Sequence, residues 1–118
     1  MTTPRVIHWD PAWGPLSETA MRQWLIAEGY SVSRYQYPPG TCFPAHTHEV
    51  CKRDAVLSGR LKISWPGGSI ALGPGDMIEI PAGSVHSAEV VGSETVLSLD
   101  ATQSPEHKQE PALRAVPR

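Results

Sequence analysis

Residues 40–59 read GTCFPAHTHEVCKRDAVLSG, and residues 75–86 read GDMIEIPAGSVH. Each stretch opens on a glycine, passes through a proline and delivers histidine: His46 and His48 in the first, His86 in the second. In a strand, successive side chains alternate between faces, so His46 and His48 point the same way, about 6.5 to 7 Å apart at the backbone. Two imidazoles so placed can converge on one ion, and His86 must join them from another strand. Three imidazoles suit a divalent transition metal (Fe, Ni, Zn, Cu, Co or Mn) and leave coordination positions open for water or substrate.

Around these stretches the texture is that of short strands. β-like runs cover Ser31 to Tyr37, Val50 to Leu57, Arg60 to Trp65, Ser69 to Leu72, Met77 to Ile80, His86 to Val91 and Thr95 to Leu99. Turn-forming clusters such as Pro38-Pro39-Gly40, Pro66-Gly67-Gly68 and Gly73-Pro74-Gly75 separate them, and this regular spacing predicts an antiparallel sandwich or barrel. Glycine and proline, 10 and 12 of 118 residues, exclude a chain dominated by long helices, while 40% apolar residues exclude disorder throughout. One helix is predicted, with Ser17 as N-cap, Leu16 and Met21 as a hydrophobic staple, and Gly29 as its stop. Its stripe of Met21, Trp24, Leu25 and Glu28 serves core packing. Pro4, Pro11 and Pro15, with Trp9 and Trp13 between them, predict an extended arm with two apolar anchors. The chain is long enough for one domain, with an arm and helix over 1–30, a β-domain over 31–100 and a surface tail over 101–118.

Gly40, His46, His48 and Gly59, followed by Gly75, Pro81, Gly83 and His86, fall at the spacings of two motifs, and in them the chain resembles the cupin family over residues 31 to 100. Two positions depart: Lys52 stands where the family's first motif has a glutamate, and Val90 where the second has an asparagine. The resemblance implies an all-β fold, a small antiparallel jelly-roll (cupin) β-barrel preceded by the arm and one short helix. It also places the three histidines in the barrel mouth and implies a homodimer, for which the Trp9–Trp13 arm is a candidate contact. An isolated His-X-His pair is more often incidental; set in both motifs, His46, His48 and His86 become candidate metal ligands.

Lys52 is the informative departure, because a protonated amine cannot coordinate a cation. Either the metal is held by three histidines, or the pocket is metal-free and Lys52 offers its charge to an anionic ligand. In both cases Lys52 is the candidate catalytic residue, and a Schiff-base role requires a depressed amine pKa. Asp54 shares its strand parity and is expected to pair with it, whereas Glu49 is expected to face away. Cys42 is expected to be a small buried hydrophobe, Glu79 to face solvent, and His8 and His107 to lie at the surface. Tyr30, Tyr35, Tyr37, Phe43 and Trp65 are left open between pocket and core.

The two cysteines, Cys42 and Cys51, form neither a CxxC nor a zinc quartet, so reduced thiols are expected. A formal charge of −2 gives no electrostatic footprint for nucleic acid. No apolar run of about 18 to 20 residues is present for a membrane span, and the start lacks a signal-peptide core, so a cytoplasmic protein is expected. The functional expectation is a metal-binding cupin acting on a small anionic molecule through the three-His site, by a dioxygenase or isomerase-type reaction. The alternative is a non-catalytic module that binds or senses a small molecule or metal in the same pocket.

Overall fold

A computed structural model describes residues 3–103 of the chain. Its nine strands are β1 (Arg5–His8), β2 (Ser31–Tyr37), β3 (Cys42–His46), β4 (Cys51–Ser58), β5 (Leu61–Trp65), β6 (Gly68–Leu72), β7 (Asp76–Ile80), β8 (His86–Val90) and β9 (Val96–Gln103). A 3-10 turn at Pro11–Trp13 and one helix, α1 (Glu18–Ala27), stand between β1 and β2. The strands form two antiparallel sheets, ordered β1-β7-β4-β9-β2 and β3-β8-β5-β6. This is the expected all-β jelly roll with one short helix. Its two sheets face each other as an open sandwich, with no hydrogen-bonded ladder joining them into a closed barrel among the described residues.

Strand alternation decides what lies between the sheets. Val56, Leu61, Ile63, Leu72, Ile78, Ile80, Val90 and Val96 form the inner core, filling one end of the sandwich and leaving the other for polar side chains. The opposite face of the larger sheet is also covered. There Ala55, Met77, Leu99 and Ala101 meet Met21 and Leu25 of α1 and Tyr30. Ten residues are too few for a stable isolated helix. Met21 and Leu25 are fully buried, and at about 1.5–3 kcal/mol each this packing, not propensity, holds α1 in place. Ser17 caps it as expected, its Oγ accepting from the Ala20 N–H at 3.0 Å.

Two strands exceed the seven runs visible in the sequence. The arm is no free extension: residues 5–8 pair in register with 79–76 at the edge of β7. Its tryptophans are engaged within the chain, Trp13 lying edge-on to Trp9 (5.2 Å) and stacked on Trp24 (4.9 Å). The other addition, β3, is a sheet edge that carries Pro44, a position where the missing N–H costs no ladder bond. β9 runs to Gln103, past the boundary expected at 100; His107 and the rest of the tail lie outside the described residues. At the β4–β5 turn Gly59 adopts φ +80°, and a Cβ there would stand 2.8 Å from the Thr95 carbonyl oxygen. Only glycine fits that approach.

Candidate metal centre and its cavity

The three histidines meet at one end of the sandwich, by a route partly different from simple alternation. His46 is the last residue of β3 and lies opposite His86, the first of β8. An irregularity in the ladder between Phe43 and His46 allows both to face inward although they are three residues apart. His48 lies two residues beyond the end of β3, in a loop, so the expected shared strand does not bring it in. A backbone hydrogen bond does: the Gly83 N–H donates to the His48 carbonyl at 2.8 Å. Gly83 sits at φ +81°, in the left-handed region that favours glycine. The Pro81-Ala82-Gly83 turn therefore both launches β8 and anchors the His48 loop.

The donor atoms fit a metal ion. His46 Nδ1 is 2.6 Å from the Pro44 carbonyl and His86 Nδ1 is 3.0 Å from that of Ser84. A carbonyl only accepts, so in each contact Nδ1 carries a proton and Nε2 is the nitrogen left to face a metal, the orientation typical of metal-ligating imidazoles. His48 Nε2 and His86 Nε2 are buried without a hydrogen-bond partner. One nitrogen from each of the three rings lies within 4.8 Å of the others. Two nitrogens on one tetrahedral ion stand about 3.4 Å apart, so small ring movements close the set. Burial, followed by the positive charges of Lys52 and the other two histidines, pushes His48 down to about 4. Burial also lowers His86, against the backbone contact to Ser84 that favours its charge. Both are neutral at pH 7, the protonation state that coordination needs.

The facing wall belongs to the five-stranded sheet. Lys52 and Asp54, alternate residues on β4, point inward, and Lys52 Nζ lies 3.0 Å from Asp54 Oδ1, the expected pair. This ion pair is what meets the buried oxygen, with no second donor to it among the described residues. Asp54 also faces Asp100 directly across the β4–β9 ladder. Burial, reinforced by the Asp100 charge and opposed by Lys52, raises the Asp54 carboxyl above its ordinary range. Asp100 itself accepts from the Tyr37 hydroxyl at 2.6 Å and the Ser98 hydroxyl at 2.7 Å. Burial and the bond to Asp100 push the Tyr37 phenol upward. Between the two walls opens a cavity of about 410 Å³, within the usual range for small-molecule sites of roughly 300–1,000 Å³.

Of the aromatic residues left open, Tyr35, Tyr37 and Phe43 line this cavity, whereas Tyr30 joins the outer core and Trp65 packs on the inner one. Cys42 is exposed, not buried; it neighbours the inward Phe43, and the ladder irregularity breaks the parity it would share with His46. Glu79 does not simply face solvent but binds Arg5 and Arg53 on the outer face of the larger sheet. Glu49 is exposed, and His8 pairs with Asp76 at the surface. The residue that the sequence reading missed is Asp100. Its signal was the polar row Ser98, Asp100 and Thr102 alternating with Leu97, Leu99 and Ala101.

A family model, the cupin domain, matches residues 33–102, more than half of the chain. The chain belongs to the cupin family. No curated protein matches this cupin in sequence. Among solved structures it is similar to a conserved protein of unknown function from Streptococcus pyogenes, with 21% identity over 65% of this chain and 66% of that one and a TM-score of 0.58. It is also similar to a protein of unknown function from Rhizobium leguminosarum bv. viciae 3841, with 27% identity over 63% and 69% and a TM-score of 0.57. A third is the DMSP lyase DddQ from Ruegeria pomeroyi DSS-3, with 22% identity over 65% of this cupin and 39% of that chain and a TM-score of 0.59. This cupin thus spans about two thirds of the first two structures and well under half of the lyase. No helix among its described residues is long and apolar enough to cross a membrane.

Proposed function

We propose that this cupin is a metal-dependent enzyme whose cavity takes a small anionic molecule, by dioxygenation or an isomerase-type proton transfer. The observation that carries the reading is the convergence of three imidazoles, two of them with buried unpartnered Nε2 atoms, on a cavity whose other wall holds titratable groups. His46, His48 and His86 would hold the ion, which when bound supplies Lewis acidity and, for a redox metal, access to dioxygen chemistry. The neutral imidazoles leave the ion's charge uncompensated, which favours an anionic ligand. Lys52 carries three ammonium hydrogens, forms an ion pair among the described residues with Asp54 alone, and lies near enough to depress His48. It is therefore positioned to steady a ligand oxygen by charge and hydrogen bond. Asp54, Asp100 and Tyr37 provide carboxylate and phenol groups for holding or moving a proton. Tyr35, Tyr37 and Phe43 shield the ligand from bulk water. The fold similarity to a lyase is consistent with a scaffold that houses small-molecule chemistry.

Elemental analysis of freshly purified protein, followed by oxygen-uptake and NMR assays with diketones, thiols and hydroxy acids, tests this. The expected result is one transition metal per chain, lost in His46→Ala and His86→Ala, with turnover of at least one anionic compound. Absence of stoichiometric metal, or a metal content unchanged in those variants, overturns the metal reading. Metal and ligand binding without turnover instead establishes a non-catalytic module.

A further inference from the structure

The three imidazoles are not held alike. His46 and His86 face each other across the β3–β8 ladder, with ring centroids 4.4 Å apart. Each ring is pinned by its own backbone: Nδ1 of His46 meets the Pro44 carbonyl and Nδ1 of His86 the Ser84 carbonyl, in both cases two residues earlier in the chain. A ring tied at Nδ1 cannot turn freely, so its Nε2 is aimed before any ion arrives. His48 differs on each count. It lies beyond the end of β3, between the exposed Thr47 and Glu49. Among the described residues no hydrogen bond holds its ring, and its Nε2 is buried without a partner. What places it is one main-chain contact, the Gly83 N–H to the His48 carbonyl, which fixes the backbone and not the imidazole. Lys52 is the strongest charge acting on His48, whereas at His86 it is outweighed by His46.

We propose that the metal site is a fixed pair with one exchangeable arm: His46 and His86 keep an ion in place, and His48 is the ligand that yields its position when an anion binds through two oxygens. This narrows the ligand class of the proposed metal site to bidentate anions, such as 2-oxo or 2-hydroxy carboxylates, and so rests on that reading. A four-coordinate ion with three imidazoles has one position left. A monodentate carboxylate fills it and displaces nothing. A chelating anion needs two positions, so one imidazole leaves with its lone pair, as a neutral ring; no electron or proton changes hands. Turning His46 or His86 away would break a hydrogen bond to a carbonyl as well as the bond to the ion, whereas turning His48 away breaks only the latter. The position that His48 gives up is also the one on which the Lys52 charge bears most, so the second anionic oxygen meets an ammonium there.

Zinc binding and the ring nitrogens themselves test this. Zinc affinity is measured by chelator competition for wild type, His46→Ala, His48→Ala and His86→Ala, each checked for folding by circular dichroism. Loss of His46 or His86 should cost at least about 100-fold, and loss of His48 about tenfold or less. Zinc-loaded protein labelled with ¹⁵N-histidine is then titrated by NMR with oxalate, which chelates, and with acetate, which does not, zinc content being checked throughout. Oxalate should move the His48 ring nitrogens, identified by their absence in His48→Ala, from metal-bound to free positions while those of His46 and His86 stay bound; acetate should release none. Gly83→Ala adds a Cβ that meets nothing within 4 Å but is strained at φ +81°. It should weaken zinc binding in the wild-type background and have no further effect in His48→Ala. Equal losses in the three histidine variants, His48 staying bound under oxalate, all three rings released together, or a Gly83→Ala effect that persists without His48 overturns the exchangeable arm and leaves the metal reading standing. If wild type takes up no zinc, that reading falls and the arm with it.

Discussion

On the outer face of β4, Arg53 is only 5% exposed at its side chain. It donates to Glu79 Oε1 at 2.8 and 3.1 Å and to Glu28 Oε1 at 3.2 Å, and its guanidinium lies over the rings of Tyr30 (4.5 Å) and Trp24 (5.2 Å). On the inner face, its neighbours Lys52 and Asp54 are nearly as buried but make one ion pair, with each other. The carboxylates record the difference. Burial alone would raise Glu79, yet hydrogen bonds from Arg53 and Arg5 hold it below its ordinary value. Asp54 is raised, because burial and Asp100 outweigh Lys52. The outer system uses its charges fully to tie α1 and β1 to the sheet, as a structural brace. The inner one faces a cavity, where the proposed binding and proton transfer would take place.

The comparison breaks first at Arg53. Arg53→Met leaves Glu79 with Arg5 alone and takes the cation from the more exposed Glu28, and should cost about 3 kcal/mol in urea unfolding; a loss below about 1 kcal/mol would remove the brace from this account. His86→Ala comes next: metal affinity, measured by competition with a chelator, should fall at least about 100-fold with little loss of stability. Comparable losses in both would show that the inner cluster braces the fold too.

Lys52→Met is a smaller perturbation, about 1–3 kcal/mol, and it should depend on pH. Asp54 has a raised folded pKa, so its contribution is fully present below the ordinary carboxylate range and is lost as pH rises through the raised value. Without Lys52 that loss deepens, so the variant should approach wild type near about pH 5 and fall away toward about pH 8. Equal destabilisation at both would sink the idea that Asp54 escapes by taking up a proton. The smallest effect belongs to Glu79→Gln. A lowered carboxylate stabilises above its ordinary range, an effect lost as pH falls through the folded value. The variant should therefore be less stable by about 1 kcal/mol at pH 7, with the gap closing below about pH 4.

The inner system was partly legible in the sequence, and for a physical reason, whereas Arg53 and its partners were not. Alternation along one strand is local, so the shared face of Lys52 and Asp54 and their expected pairing followed from their numbers alone, while the resemblance turned that face toward the site. The motif glycines and His86 were equally visible because each turn needs its own residue type. Asp100 was not, because its importance arises from a partner 46 positions earlier that only the ladder brings opposite. The two unforeseen strands were hidden by length and by proline: β1 has four residues between Pro4 and Pro11, and β3 contains Pro44. The route of His48 into the site depended on a carbonyl held by Gly83, a contact that no strand pattern encodes.

All three histidines stem from the four-stranded sheet or the loop leaving it, and every charged residue opposite stems from the five-stranded one. Because no backbone ladder among the described residues stitches the two sheets together, the cavity is a seam, and a molecule that grips both sides is a removable crosslink. At a hundredfold excess over its dissociation constant such a ligand adds about 2.7 kcal/mol to the folded state. That gain falls on the part of the sandwich that holds a cavity lined by polar side chains, so occupancy would decide how readily the two sheets part and their amides exchange with water.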